Sequence, residues 1–135
     1  LKFALPSLQM LLVESVRKKV AFCQEVVRAT GVTDVTVAWG RGEDVGAKPP
    51  HRQRYDWAVS RALGQGAAVA ELALPFLKPG GRIAVIDLEK SHAYGHLISY
   101  TPEEQDAWMT RAGFARAQKY DFLEDFYFVV YALAR

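Results

Sequence analysis

The sequence predicts an α/β fold built on a mostly parallel sheet. Three observations predict it. Short apolar or β-branched segments alternate along the chain with segments whose apolar residues recur at helical spacing. Two of the short segments, Leu8–Val13 and Arg82–Leu88 (RIAVIDL), are nearly continuous apolar runs, the pattern of strands covered on both faces. The helical segments carry clear punctuation: Gly31 after one, KPGG at Lys78–Gly81 after another, and a T-x-x-E capping box at Thr101–Glu104 before a third.

In order, Leu1–Leu5 reads as the last turn of a helix, stopped by Pro6 and Ser7. Leu8–Val13 is the first strand, and Glu14 closes it. A lone acid at the tip of a parallel strand is where nucleotide-binding α/β folds hold a ribose hydroxyl. It is equally a favourable charge at the N-terminus of the next helix. That helix runs from Val16 to Thr30, with Val16, Val20, Cys23 and Val27 on its apolar face. Val32–Trp39 (VTDVTVAW) alternates and is β-branched, a second strand. Gly40–Asp44 (GRGED) leaves it, and Ala47–Arg54 (AKPPHRQR) is a surface loop. Tyr55–Ser60 (YDWAVS) is a third strand with Arg61 at its end. Gly64–Leu77 is a helix with Val69, Leu72, Ala73 and Phe76 on one face, closed by the KPGG turn. Arg82–Leu88 is the fourth strand, followed by a polar and aromatic loop, Glu89–Tyr100. Thr101–Ala112 is a helix that Gly113 ends. Arg116–Phe122 and Asp125–Ala134 make an antiparallel hairpin about Leu123–Glu124, inserted near one edge of the sheet.

A chain of 135 residues, half of them hydrophobic, has the size and core of one domain. A net charge of +2 neither demands nor excludes a nucleic-acid partner. The basic groups cluster at Arg17, Lys18 and Lys19 and at Lys48, His51, Arg52 and Arg54. Asp121, Glu124 and Asp125 make the C-terminal edge acidic, which fits RNA poorly. Cys23 is the one cysteine, so an internal disulfide and a cysteine zinc cluster are excluded, and a reducing cytoplasm is the expected location. No apolar run reaches membrane-spanning length, so no membrane is expected. His51, His92 and His96 lack metal-ligand spacing on any one element, so no metal is expected.

The order of elements, with an acid ending an early strand and KPGG before a late one, resembles the class I S-adenosylmethionine-dependent methyltransferases. Within that group, residues 1–81 resemble the GidB (RsmG) type, the guanine-N7 methyltransferases of small-subunit ribosomal RNA. The stretches that carry the resemblance are LKFALP, LLVES-x-RKKVAF, GRGED, YDWAVSRAL and LALPFLKPGG. After Gly81 the chain instead resembles the tail of general small-molecule methyltransferases: a strand ending in Asp, a loop with His, a TPEE…AGF helix and a hairpin. A hybrid joined at KPGG and a divergent natural chain both fit this change. The resemblance implies a Rossmann-like methyltransferase sheet, mostly parallel with the C-terminal antiparallel hairpin. It further implies a single domain over 1–135 that is N-terminally incomplete. The first strand and its D-x-G-x-G-x-G turn are not seen before Leu1, and a second chain, as in a homodimer, is one way to fill the gap in the sheet.

The resemblance also assigns roles. S-adenosyl-L-methionine is the implied cofactor, and 16S ribosomal RNA in the small subunit is the implied partner. Glu14 would accept hydrogen bonds from the cofactor's ribose, and the backbone at Gly42 and Glu43 would line its adenine. Arg61 would lie near cofactor and target base, its rigid fork suiting a carboxylate or phosphate. His96 is a substrate-contact candidate, because it falls in the loop after the fourth strand, at the edge where such sheets place substrates. No residue stands out as a catalytic acid or base, and methyl transfer to a ring nitrogen relies mainly on alignment. Two other readings stay open. One is a non-catalytic or hybrid α/β fragment that self-associates to complete its sheet; the other is a small-molecule methyltransferase.

Overall fold

The computed structural model describes residues 1–61, 66–88, 100–122 and 126–134, and they form two compact units, residues 1–45 and 46–135. The expected alternation is present: β1 (Met10–Glu14), α1 (Arg17–Thr30), β2 (Val35–Trp39), α2 (Gly42–Gly46), β3 (Tyr55–Arg61), α3 (Gly66–Ala73), β4 (Leu77–Leu88), α4 (Pro102–Arg111), β5 (Phe114–Tyr120) and β6 (Phe126–Leu133). No helix among the described residues is long and apolar enough to cross a membrane.

The first unit is a β-α-β element. β1 and β2 pair in parallel, Met10 beside Val35 through Glu14 beside Trp39. The return between them is α1. Gly31 ends that helix at φ 64°, a left-handed conformation that glycine adopts without the Cβ penalty. Of the predicted apolar face, Val20 is buried, Cys23 and Val27 are half-buried, and Val16 is exposed. Lys2 staples the N-terminal turn to the strand: its Nζ donates to the Pro6 and Leu8 carbonyls, each at 2.6 Å. That gives the lysine of LKFALP a structural role. The segment after β2, expected to be a simple exit turn, instead closes into the five-residue helix α2. Val45 within it is buried.

The second unit is a four-stranded sheet in the order β3-β4-β6-β5. β3 and β4 are parallel, and β6 inserts antiparallel between β4 and β5 as the hairpin predicted. β5 starts and ends two residues before the expected Arg116–Phe122, and two further boundaries differ for local reasons. The helix predicted over Gly64–Leu77 gives way to a 3-10 turn at Leu74–Phe76, because Pro75 has no N–H to continue an α-helix. The KPGG segment does not stop before β4 but lies within it. Opposite β3 the register jumps from Tyr55–Leu77 to Trp57–Arg82, so Lys78–Gly81 bulges out of the ladder. Gly80, at φ 75°, supplies the bend.

The core of this unit is built by register. Ile83 pairs with Tyr131, Val85 with Val129 and Asp87 with Tyr127, so one face of β4 and β6 aligns these side chains. Val69 and Ala70 of α3, Met109 of α4 and Phe114 of β5 complete the cluster with Ile83, Val85, Tyr127, Val129 and Tyr131. Asp106 ties α4 to the sheet: its Oδ1 accepts from the Tyr131 hydroxyl at 2.8 Å and its Oδ2 from Arg116 at 2.7 Å. The capping box forms as read. The Glu104 amide donates to Thr101 Oγ1 at 3.2 Å, and the Thr101 amide donates to Glu104 Oε2 at 2.9 Å. Thr101→Ala removes one half of this reciprocal cap, and thermal melts should show a loss of about 1 kcal/mol of stability. An unchanged melting curve would mean that α4 is fixed by packing alone.

Candidate functional site

The C-terminal ends of β1 and β2 lie side by side, and most candidates of the first unit gather there. The Gly40 amide donates to the Glu14 carbonyl at 3.0 Å, which locks the two strand ends together. The Glu14 side chain turns toward the start of α1. Its Oε1 accepts from the Val16 amide at 2.8 Å, Oε2 lies 4.0 Å from the exposed Lys19 ammonium, and Ser15 also interacts with the carboxylate. The carboxylate is thus anchored at the start of α1.

Its acidity follows from these contacts. The Val16 hydrogen bond, then Lys19, hold Glu14 below the ordinary carboxylate value of 4.5. A group with a depressed folded-state pKa contributes stability that is present above the unfolded value and lost as pH falls through the folded one. A ligand that needs the Glu14 carboxylate ionised should therefore bind with constant affinity from neutrality down to the ordinary carboxylate range and weaken only below 4.5. Titrating ligand affinity against pH checks this. Weakening that begins nearer neutrality would point to a different acceptor.

Gly42 and Glu43 open α2, directly after the Gly40–Arg41 exit from β2. The Glu43 side chain is engaged locally, accepting from Arg41 Nε at 2.6 Å. That pair leaves the Glu43 backbone, rather than its carboxylate, as the group to line a ligand. Asp44, next in the chain, is exposed.

Trp39, not among the sequence candidates, belongs to this site. It stands beside Glu14 in the β1–β2 register and is 54% exposed. Its indole N–H donates to the Ser15 carbonyl at 3.0 Å, and the Arg17 guanidinium lies 4.1 Å from its ring centroid. A large aromatic face is therefore fixed next to a carboxylate at the strand ends. The signal in the sequence is a tryptophan immediately before GRGED, but its meaning depends on the pairing of β1 with β2.

In the second unit Arg61 ends β3, exposed, with its guanidinium 5.7 Å from the Phe126 ring centroid. Ser60, Asp87 and Tyr127 share the core-side face at the C-terminal end of the parallel strands. The Ser60 and Tyr127 hydroxyls and both amide atoms of Gln105 are buried without a hydrogen-bond partner among the described residues. Burial, followed by the Asp87 charge, pushes the Tyr127 phenol well above its ordinary value. Asp56 makes a surface pair with Lys78 at 2.9 Å. Tyr100 packs edge-on against Trp108 at 4.7 Å between centroids. His51 makes a hydrogen bond of 3.0 Å between its Nδ1 and the Tyr55 hydroxyl. His92, Tyr94 and His96 lie outside the described residues. Among the described residues no three His, Cys, Asp or Glu side chains gather as a metal-ligand set.

Parallel strand pairing in each unit, an acid at the β1 tip in the first and an antiparallel hairpin in the second fit the fold of the S-adenosylmethionine-dependent methyltransferases. Solved structures agree. Mitomycin 7-O-methyltransferase MmcR superposes with a TM-score of 0.77 over 98% of this chain and 44% of that one, at 15% identity. A SAM-dependent methyltransferase from Aquifex aeolicus superposes with a TM-score of 0.69 over 92% of this chain and 68% of that one, at 16% identity.

The chain belongs to the rRNA small subunit methyltransferase G (GidB) family, whose sequence profile matches residues 1–94. The match runs past Gly81, where the sequence reading placed the change of resemblance. Ribosomal RNA small subunit methyltransferase G of Leuconostoc mesenteroides is 40% identical over 92 residues, 68% of this chain and 38% of that protein. The Gloeobacter violaceus protein of the same name is 46% identical over 76 residues, 56% of this chain and 30% of that one. The chain thus spans less than two-fifths of the length of these relatives.

Proposed function

We propose that this chain binds S-adenosylmethionine and takes part in methylating a guanine N7 of 16S ribosomal RNA in the small subunit. The observation that carries the proposal is the Glu14 carboxylate. It is ionised and fixed through Oε1 by the Val16 amide at a strand tip, within a stretch that matches the family. A ribose offers two adjacent hydroxyl donors, and an ionised carboxylate at a strand tip is the acceptor they need.

The residues present fit the cofactor in kind. Glu14 holds the ribose, the backbone of Gly42 and Glu43 lines the adenine, and the fixed Trp39 ring offers an apolar wall beside them. Arg61 offers its fork to a carboxylate or to an RNA phosphate. When bound, the cofactor supplies a sulfonium-activated methyl group. The chain's own residues orient: they fix the nucleoside end of the cofactor so that the methyl can meet a ring nitrogen in line. No side chain here needs to remove a proton, because guanine N7 carries a lone pair and no hydrogen. A cytoplasmic site of action follows from a ribosomal substrate.

A second reading, a small-molecule acceptor, rests on the tail after Gly81, of which residues 95–135 lie beyond the family match. It is supported by the resemblance of that tail to small-molecule methyltransferases. Small ribosomal subunits lacking the modification, incubated with the chain and methyl-labelled S-adenosylmethionine, separate the two. Label on a guanine N7 supports the ribosomal reading. Label only on small acceptors supports the second, and label on neither overturns both.

A further inference from the structure

We infer that Trp39 stacks on the adenine of the methyl donor and that Arg17 is a positioning residue, holding the indole for that contact. This deepens the nucleoside reading of the β1–β2 strand ends and rests on it.

The contacts that carry it all lie within the first unit. Trp39 ends β2 and stands beside Glu14 in the register. Its indole N–H donates to the Ser15 carbonyl at 3.0 Å, a bond made at the ring edge. An edge bond alone lets the ring tilt about it. The Arg17 guanidinium, 4.1 Å from the ring centroid, takes one face and opposes that tilt. The indole is thereby tied to the start of α1, next to the carboxylate, before any ligand arrives. A side chain already in place does not have to be ordered on binding, so its contact is not offset by lost rotamer freedom.

Arg17 stands where local helix physics does not favour it. α1 has no acid in its first turn and opens on Arg17, Lys18 and Lys19. The helix dipole favours anions at that end and disfavours cations. A residue that breaks a local rule is expected to answer to a site. The contact of Arg17 among the described residues is the Trp39 face. Lysine would serve less well there. A guanidinium is flat and stacks on a ring, whereas an ammonium is a compact, strongly hydrated point charge. With Arg17 on one face, the indole offers its second face to another flat ring. Every nucleobase has a π-face that stacks on an aromatic side chain. Trp39 therefore supplies contact area, while Glu14 selects the ribose and the backbone at Gly42 and Glu43 meets the base edge.

Calorimetry and tryptophan fluorescence with S-adenosylhomocysteine test this. Trp57→Phe with Trp108→Phe leaves Trp39 as the one indole of the original three. Its emission should change saturably, with the dissociation constant that calorimetry gives. Arg17→Ala should weaken binding about three- to tenfold with an unchanged melting curve, and Arg17→Lys should restore only part of the loss. Trp39→Leu, which keeps apolar bulk in β2, should weaken binding about tenfold or more. In the Trp39→Leu background Arg17→Ala should cost nothing further, because Arg17 acts through the ring. A wild-type chain that does not bind S-adenosylhomocysteine removes the nucleoside reading and this inference with it. Binding that leaves the Trp39 emission unchanged overturns this inference alone. So does an Arg17→Ala protein that binds as well as or better than wild type, or one whose loss persists without Trp39.

Discussion

Glu14→Gln is expected to weaken binding of S-adenosylhomocysteine by about ten- to a hundredfold while leaving the fold intact. Both halves of that expectation follow from geometry. The Val16 amide donates to Glu14 Oε1 at 2.8 Å, and a glutamine carbonyl can accept the same bond. The lead from β1 into α1 is therefore kept. What is lost is the negative charge on the ligand-facing side of the group, together with one acceptor, which becomes an amide donor facing the ribose hydroxyls. Hydrogen bonds to a charged group are about twice as strong as neutral ones, so the cost falls on ligand affinity. Calorimetry on both proteins, with melting curves as a control, reads this. Equal affinity in the two would remove Glu14 from the site.

Ile83→Ala is expected to have the largest effect on stability, about 2–5 kcal/mol. Ile83 is fully buried, pairs with Tyr131 in the β4–β6 ladder and lies within the cluster shared with α3 and α4. A cavity there has strands on either side and helices above, so little can move to fill it. Because domains are typically stable by only about 5–15 kcal/mol, the variant should lose a large part of its margin. A loss of this size lowers the melting temperature by roughly 10 °C or more in a unit of this length. A drop of only one or two degrees would show that this core is loosely packed.

How much of this was legible in the sequence depended on how local the signal was. α1 and α4 were readable with their ends, because Gly31 and the Thr101–Glu104 box act within a few residues of the boundary they set. β6 was readable as a strand, and its pairing with β5 followed from a short connection. The five-residue helix α2 was not, since two glycines and two acids look like a turn until the buried Val45 anchors them. KPGG inside β4 was not readable either. A Pro-Gly-Gly run reads as a terminator, and only the partner strand shows that the ladder resumes across it.

The candidate site divides the same way. Glu14 was visible because an acid that closes an apolar run is a local pattern. Gly42 and Glu43 entered through family resemblance, and the structure adds that the Glu43 side chain is turned to Arg41. Trp39 was missed because nothing near it in sequence says that it stands beside Glu14; that neighbour is 25 residues away across a parallel pair. Ser60, Gln105 and Tyr127 form no sequence pattern at all, and burial alone identifies their unpartnered polar atoms.

The central claim is that the strand ends carrying Glu14 form a nucleoside-binding site for the methyl donor. Titrating the folded chain with S-adenosylhomocysteine in a calorimeter tests it most directly. Saturable binding at one site per chain is expected, constant in affinity from neutral pH to the ordinary carboxylate range. A folded chain that gives no heat at any attainable ligand concentration would contradict it.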